Sequence, residues 1–154
     1  MPDNPDAFGA LPGVGRYTTA AVLSICFDRP LAVLDGNVAR VLSRLHAHSA
    51  AIRDPRGSKL LWAQAEVLVP MRRPGAWNQA MMELGATICT PRAPACGRCP
   101  VRALCRARAL GRVGEFPPPG KRRAPETVRR AGALIERRGR VLMERREGPL
   151  LAGL

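Results

Sequence analysis

Four cysteines fall within seventeen residues, at Cys89, Cys96, Cys99 and Cys105, and their C-x6-C-x2-C-x5-C spacing constrains this chain more than any other feature. Four thiolates held so close together can surround one soft metal centre. Zinc sites usually pair two short C-x2-4-C knuckles. Here a single knuckle carries a longer arm on each side, which suits the wider [4Fe-4S] cube better. Pro91, Pro94, Gly97 and Pro100 favour a tight loop wrapping the centre. Zinc and disulfides are the alternatives, and the start Met1-Pro2-Asp3-Asn4 lacks the basic and apolar regions of a signal peptide that would argue for an oxidising compartment. Such a cluster need not do redox chemistry, because it can fix the shape of a loop whose arginines, Arg92, Arg98 and Arg102, face phosphates. The fifth cysteine, Cys26, lies among Val22, Leu23, Ile25 and Phe27 and reads as a small core hydrophobe.

The charge points the same way as those arginines. The 154 residues carry 25 Lys and Arg against 12 Asp and Glu, a formal +13. Nine basic and seven acidic groups precede Cys89, while sixteen and five follow from there on, so the excess lies in the C-terminal part. A field of that kind attracts polyanions and favours salt-sensitive nucleic-acid binding, the bland alternative being a solvated tail. No apolar run approaches the roughly 18 residues of a membrane span. A soluble, cytoplasmic, monomeric protein is expected, with one domain and an incomplete piece of another.

Between Arg16 and Ile88 the apolar residues recur at helical spacing. Thr18 to Phe27 is apolar nearly all round, and Val38, Val41, Leu42 and Leu45 share one helical face. Ser58 is a candidate cap for a helix running to about Val69, and Pro74 can open another that carries Trp77, Ala80, Met81, Leu84 and Ile88 on one stripe. The fold class is therefore mainly α. From Arg106 to Pro125 a stiff basic stretch containing Phe116-Pro117-Pro118-Pro119-Gly120 reads as a connector with little to bury. Beyond it, Val128 to Ile135 and Arg140 to Met143 flank a short turn and predict two strands.

Two short motifs precede the cysteines. Leu11-Pro12-Gly13-Val14-Gly15 sets two glycines in a tight loop before a helix, where unpaired backbone N–H groups can converge on a phosphate or serve as an ordinary turn. Leu34-Asp35-Gly36-Asn37-Val38 leads into the next helix. Asp35 can cap that helix, and a carboxylate fixed there can also stabilise a cationic sugar, as carboxylates do when glycosidic bonds break through oxocarbenium-like states.

Leu11 to Gly15, Leu34 to Val38 and the four-cysteine loop follow the order and spacing of the helix-hairpin-helix DNA glycosylases with an iron–sulfur cluster, the endonuclease III superfamily. The chain resembles that family over roughly residues 5–109, and Trp77 to Ala86 resembles the segment before the cluster in its MutY-type, A/G-specific adenine glycosylases. The resemblance implies a partial helix-hairpin-helix glycosylase domain at 1–109 with the cluster loop at 89–105. A basic connector at 110–127 and the first β-hairpin of a Nudix-like domain at 128–154 would follow, the chain being truncated at both ends. It implies a [4Fe-4S] cluster on Cys89, Cys96, Cys99 and Cys105, an alkali ion at the hairpin as a further candidate, and DNA contacts from Leu11, Pro12, Gly13, Val14, Gly15 and Arg16. Asp35 would be the catalytic carboxylate, supported by Asn37 and Tyr17. The partner would be double-stranded DNA with adenine mispaired with 8-oxoguanine or guanine, the adenine being flipped out before its N-glycosidic bond is hydrolysed.

Lyases of the superfamily form a Schiff base through a lysine just after the hairpin, and this chain has Tyr17 there, so hydrolysis without strand cleavage is expected. The alternatives are an endonuclease III-like glycosylase/lyase and a non-catalytic DNA-binding iron–sulfur module. The family's adenine-protonating acid and duplex wedge lie upstream of the matched region and are not in the sequence. Loss of a general acid slows such a reaction on the order of a hundredfold or more, so this chain alone is expected to be impaired. Glu66 and Glu83, the acids left in the helical body, read as surface charge.

Overall fold

In a computed structural model that describes residues 2–49, 54–118 and 134–143, the chain divides into two units, Met1–Lys121 and Arg122–Leu154. The first is helical: α1 (Pro5–Gly9), α2 (Arg16–Phe27), α3 (Gly36–His46), α4 (Pro55–Leu68), α5 (Pro74–Glu83) and α6 (Arg106–Ala109). A π-helical turn, Leu84–Ile88, continues α5, and 3-10 turns cover Cys96–Arg98, Arg102–Leu104 and Val113–Glu115. No helix among the described residues is long and apolar enough to cross a membrane.

Local chemistry sets the helix starts. Asn4 caps α1, its Oδ1 accepting from Asp6 N at 2.9 Å, and Asp35 caps α3, its Oδ1 accepting from Val38 N at 2.7 Å. Proline opens both α4 and α5, where its missing N–H costs nothing. The cap of α4 is Asp54, whose carboxylate takes Arg56 N, and not Ser58, which lies inside the first turn with its N–H on the Asp54 carbonyl. The Asp-Pro pair was the stronger start signal.

The core gathers α3, α4 and α5 around Val38, Val41, Leu42, Leu61, Met81 and Leu84, with Leu42 and Leu61 fully buried and Leu45 packed at its margin. The predicted α3 face is thus the buried one. Burial of a leucine of this kind stabilises by roughly 1.5–3 kcal/mol. On α5 the expected stripe holds at Met81 and Leu84, with Trp77 and Ile88 packed against the core, but Ala80 is exposed and Asn78 buried, because the helix also turns Pro74, Gly75 and Asn78 inward. Gly75 explains the closeness of α2, since a Cβ there would come within 2.5 Å of the Ser24 carbonyl oxygen.

α2 is less buried than its composition predicts. Thr19, Ala20, Leu23 and Ser24 point inward, whereas Ile25 and Phe27 are exposed, and so is Cys26, which lies off the buried stripe and is not a core hydrophobe here. The start of the expected connector is packed. Phe116 is 7% exposed, and its carbonyl takes a hydrogen bond from buried Arg44. Residues 119–127 of that stretch lie outside the described residues.

In the second unit β1 (Glu136–Arg137) and β2 (Arg140–Val141) pair antiparallel in the register Glu136 to Val141 and Arg137 to Arg140. Arg138 and Gly139 form the turn with φ of 52° and 69°, the paired positive values that a two-residue hairpin needs. The pairing takes in Glu136 and Arg137, which the sequence had assigned to the turn. Residues 128–133 and 144–154 lie outside the described residues, so most of the expected first strand is among them.

Candidate functional site

The segment between α2 and α3 carries Asp35, and its surroundings fix both carboxylate oxygens. Oδ1 accepts from Val38 N, so the helix cap is made, while Oδ2 accepts from Asn37 Nδ2 at 3.0 Å. Capping and chemistry are therefore compatible, one oxygen serving each neighbour. The chain of contacts continues, because Asn37 Oδ1 accepts from Arg40 Nη2 at 2.9 Å. Arg40 then donates from Nη2 to the Gly85 carbonyl and from Nε to the Cys89 carbonyl, both at 2.7 Å. A continuous polar line thus runs from Asp35 to the first cysteine. Burial lowers the Arg40 pKa, with Cys89 and Asp35 acting against it and Arg44 with it.

The π-helical turn is fitted to this line. A Cβ on Gly85 would fall 2.6 Å from Asn37 Cβ and 2.8 Å from its carbonyl oxygen, so only glycine lets the backbone approach the Asn37 turn so closely. Single π turns inside α-helices are often found at functional sites.

Tyr17 lies elsewhere on the same framework. Its hydroxyl donates to Met82 Sδ at 3.6 Å, and the ring is 42% exposed. The structure thus brings Asp35 and Asn37 together and sets Tyr17 against α5, one turn before Gly85. The hairpin residues Leu11, Pro12, Gly13 and Gly15 are exposed and Val14 half-buried. Gly13 has φ +78°, a conformation that favours glycine, and neither Gly13 nor Gly15 has an atom within 4 Å of a notional Cβ, so the loop faces open space. Arg16 behaves differently. Its guanidinium lies 3.7 Å from the Trp62 ring centroid and pairs with Glu66, tying the hairpin to α4. Glu66 is therefore an inter-helix partner as well as a surface charge.

The four cysteines of the loop, none of them in a disulfide among the described residues, line one small cavity together with Arg44, Ile88, Pro94, Arg102, Arg108 and Val113. Burial raises the Cys99 pKa, and the nearby Cys89, Cys105 and Cys96 raise it further, while the backbone of Val101 opposes them. Four sulfurs that repel one another as thiolates around a shared space fit a multi-iron cluster with thiolate ligands. Among the described residues no three His, Cys, Asp or Glu side chains gather at a single-ion site.

One residue that the sequence reading missed organises this loop. Arg44, 2% exposed, donates to the carbonyls of Cys89, Thr90, Pro91 and Phe116 at 2.8–3.2 Å and to Cys89 Sγ at 3.3 Å. A guanidinium with five donors in a planar fork is the side chain that can satisfy so many acceptors at once. The available signal was the Arg40/Arg44 pair, one turn apart on a helix followed by four cysteines. Asn78 and Gly85 lay off the apolar stripe and entered the sequence reading only within the Trp77 to Ala86 segment of the resemblance.

Comparison with known proteins agrees with this geometry. Residues 89–105 match the iron–sulfur binding domain of endonuclease III. Over 98 residues, 64% of this chain and 18% of the relative, the sequence is 56% identical to the adenine DNA glycosylase of Homo sapiens. A thermostable thymine-DNA glycosylase superposes with a TM-score of 0.64 at 36% identity, covering 71% of this chain and 50% of that one. An endonuclease III bound non-covalently to DNA superposes at 0.57 and 28% identity, covering 72% and 50%. The chain spans about a fifth of the length of its mammalian relatives. With a four-cysteine loop closing a polar line that begins at Asp35, the chain is similar to the helix-hairpin-helix, iron–sulfur DNA glycosylases of the endonuclease III superfamily, and within them to the adenine DNA glycosylases.

Proposed function

We propose that this chain serves base-excision repair as the part of an adenine DNA glycosylase that holds the hydrolytic carboxylate, acting on adenine paired with 8-oxoguanine or guanine in double-stranded DNA. The observation that carries the reading is the fixing of Asp35 by Val38 N and Asn37 Nδ2 in a chain similar to adenine DNA glycosylases. Breaking an N-glycosidic bond leaves positive charge on the sugar, and a preoriented carboxylate stabilises that charge without reorganising at the moment of reaction. Asp35 would face the sugar and help to align the attacking water, while Asn37 holds its free oxygen. Tyr17 offers a hydroxyl where a lyase would need an amine, so no Schiff base forms: adenine leaves and water adds to the sugar carbon that held it, giving an abasic site. Leu11 N and Val14 N donate to the Phe8 and Leu11 carbonyls, so the N–H groups of Gly13 and Gly15 would face a DNA phosphate, and carbonyl oxygens of the hairpin would hold any alkali ion bridging to one. Cys89, Cys96, Cys99 and Cys105 would hold the cluster, which supplies the rigid shape of the loop that carries Arg92, Arg98 and Arg102. The hairpin at residues 136–141 would begin the Nudix-like module.

The test uses the cluster-loaded chain and two duplexes with 8-oxoguanine opposite a sugar analogue, one a cationic pyrrolidine and one a neutral tetrahydrofuran. The parent should prefer the cation, and Asp35→Asn should lose that preference on the order of tenfold, as expected for removing a charge a few ångströms away. Asparagine caps a helix as well as aspartate, so the melting temperature should hardly move. Single-turnover adenine release should fall in the same variant. Equal affinity of the parent for both duplexes, or release of thymine from a thymine:guanine duplex in preference to adenine, would overturn the assignment. A borohydride-trapped DNA adduct would assign the chain to the lyases instead.

A further inference from the structure

Ala32, Val33 and Leu34, the residues leading to Asp35, are each at most 7% exposed, yet they belong to no helix or strand. Their backbone groups must find partners without a ladder to supply them. One side chain does so. Asn78 on α5, 3% exposed, accepts from Val33 N at 3.3 Å through Oδ1 and donates through Nδ2 to the Leu31 carbonyl at 2.8 Å. The same nitrogen donates to Ser24 Oγ on α2 at 2.9 Å. Ser24 is itself fully buried and its hydroxyl donates to the Ala21 carbonyl at 3.2 Å. A neutral primary amide offers two donors and an acceptor on one short plane, so it can take the place of a neighbouring strand at a buried edge. The approach depends on Gly75, one turn earlier on α5, where the α2 backbone comes too close for any Cβ.

Resting on the function proposed above, we infer that Asn78 is a positioning residue for Asp35: it clamps Leu31 and Val33 so that the carboxylate enters the site from a fixed backbone. No hydrogen bond joins Asn78 to Asp35 among the described residues, so its effect runs through the backbone that carries the carboxylate and belongs to the charge-dependent part of binding, not to general DNA affinity. The Asp35–Asn37–Arg40 line holds the carboxylate from its C-terminal side, and Asn78 holds it from the N-terminal side.

The experiment compares the cationic-to-neutral affinity ratio in the parent, Asn78→Ala, Asp35→Asn and the double variant, all cluster-loaded and checked by the iron–sulfur absorbance. Asn78→Ala should lower the ratio about tenfold with unchanged affinity for the neutral duplex, and it should have no further effect in the Asp35→Asn background. If the alanine variant does not fold, the same ratio is read on Asn78→Asp, which keeps the volume and the acceptor for Val33 but loses the donors. A variant that melts earlier yet keeps the parent's ratio overturns the inference and leaves Asn78 a purely structural residue. If the parent shows no preference, the functional reading fails first and the inference falls with it.

Discussion

Arg44 shows how much of this site rests on a single side chain. It is buried with no carboxylate partner among the described residues, and its charge is met by four carbonyl dipoles and the Cys89 sulfur. Removing it strands those carbonyls, and each unpaired buried acceptor costs about 1–3 kcal/mol before relaxation. Arg44→Ala should therefore lower stability by about 3 kcal/mol and reduce the iron content of the purified protein, as read by calorimetry and iron analysis. Arg44→Lys should fall between, because a point charge cannot serve the acceptors spread across the fork. At this scale the sequence was readable wherever chemistry follows residue type. The cysteines stood out because thiolates have few uses at such spacings, Asp35 was singled out by its place before a helix, and Asn37 entered only through the family resemblance. Arg44 and Asn78 were missed because whether a polar residue on a helix faces solvent or core depends on what packs against it.

At the scale of the element, α5 and its π-helical end act as a ruler. Gly75 admits α2, Asn78 reaches the segment before Asp35, Met82 meets the Tyr17 hydroxyl, and Gly85 receives Asn37. Residues far apart in the chain are thus registered along one rod. Gly85→Ala should push the π turn away from α3, with a cost of about 1–3 kcal/mol from overpacking and a loss of adenine release larger than that of Gly97→Ala, whose notional Cβ meets nothing within 4 Å. Melting curves and single-turnover rates on the two variants check this. The helices themselves were largely visible in sequence, with α3 and the Pro74 start of α5 where apolar period and proline placed them. The start of α4 was misjudged because Ser58 was weighed ahead of Asp54-Pro55. The turn of α5 that buries Asn78 and exposes Ala80 could not be read from an apolar stripe that the close approach of α2 overrides.

For the molecule as a whole, charge is the property that composition alone settles. With +13 on the chain and the excess from Cys89 onward, duplex affinity should fall steeply with salt, on the order of a hundredfold between 50 and 200 mM if about four phosphates are neutralised. A titration across that range checks it, and an affinity independent of salt would remove phosphate contacts from the binding account. The sequence by itself determined the helical class, the cluster-bearing loop, the basic surface and the carboxylate at Asp35, because each depends on residue type, spacing and charge, which the linear order carries. Only the tertiary structure decided which cations are buried, that Arg16 leans on Trp62 and Glu66, that Cys26 lies exposed while Phe116 is packed, and that one polar line joins Asp35 to Cys89. Those outcomes are set by contacts between segments up to 72 residues apart, whose distances exist only once the helices have packed.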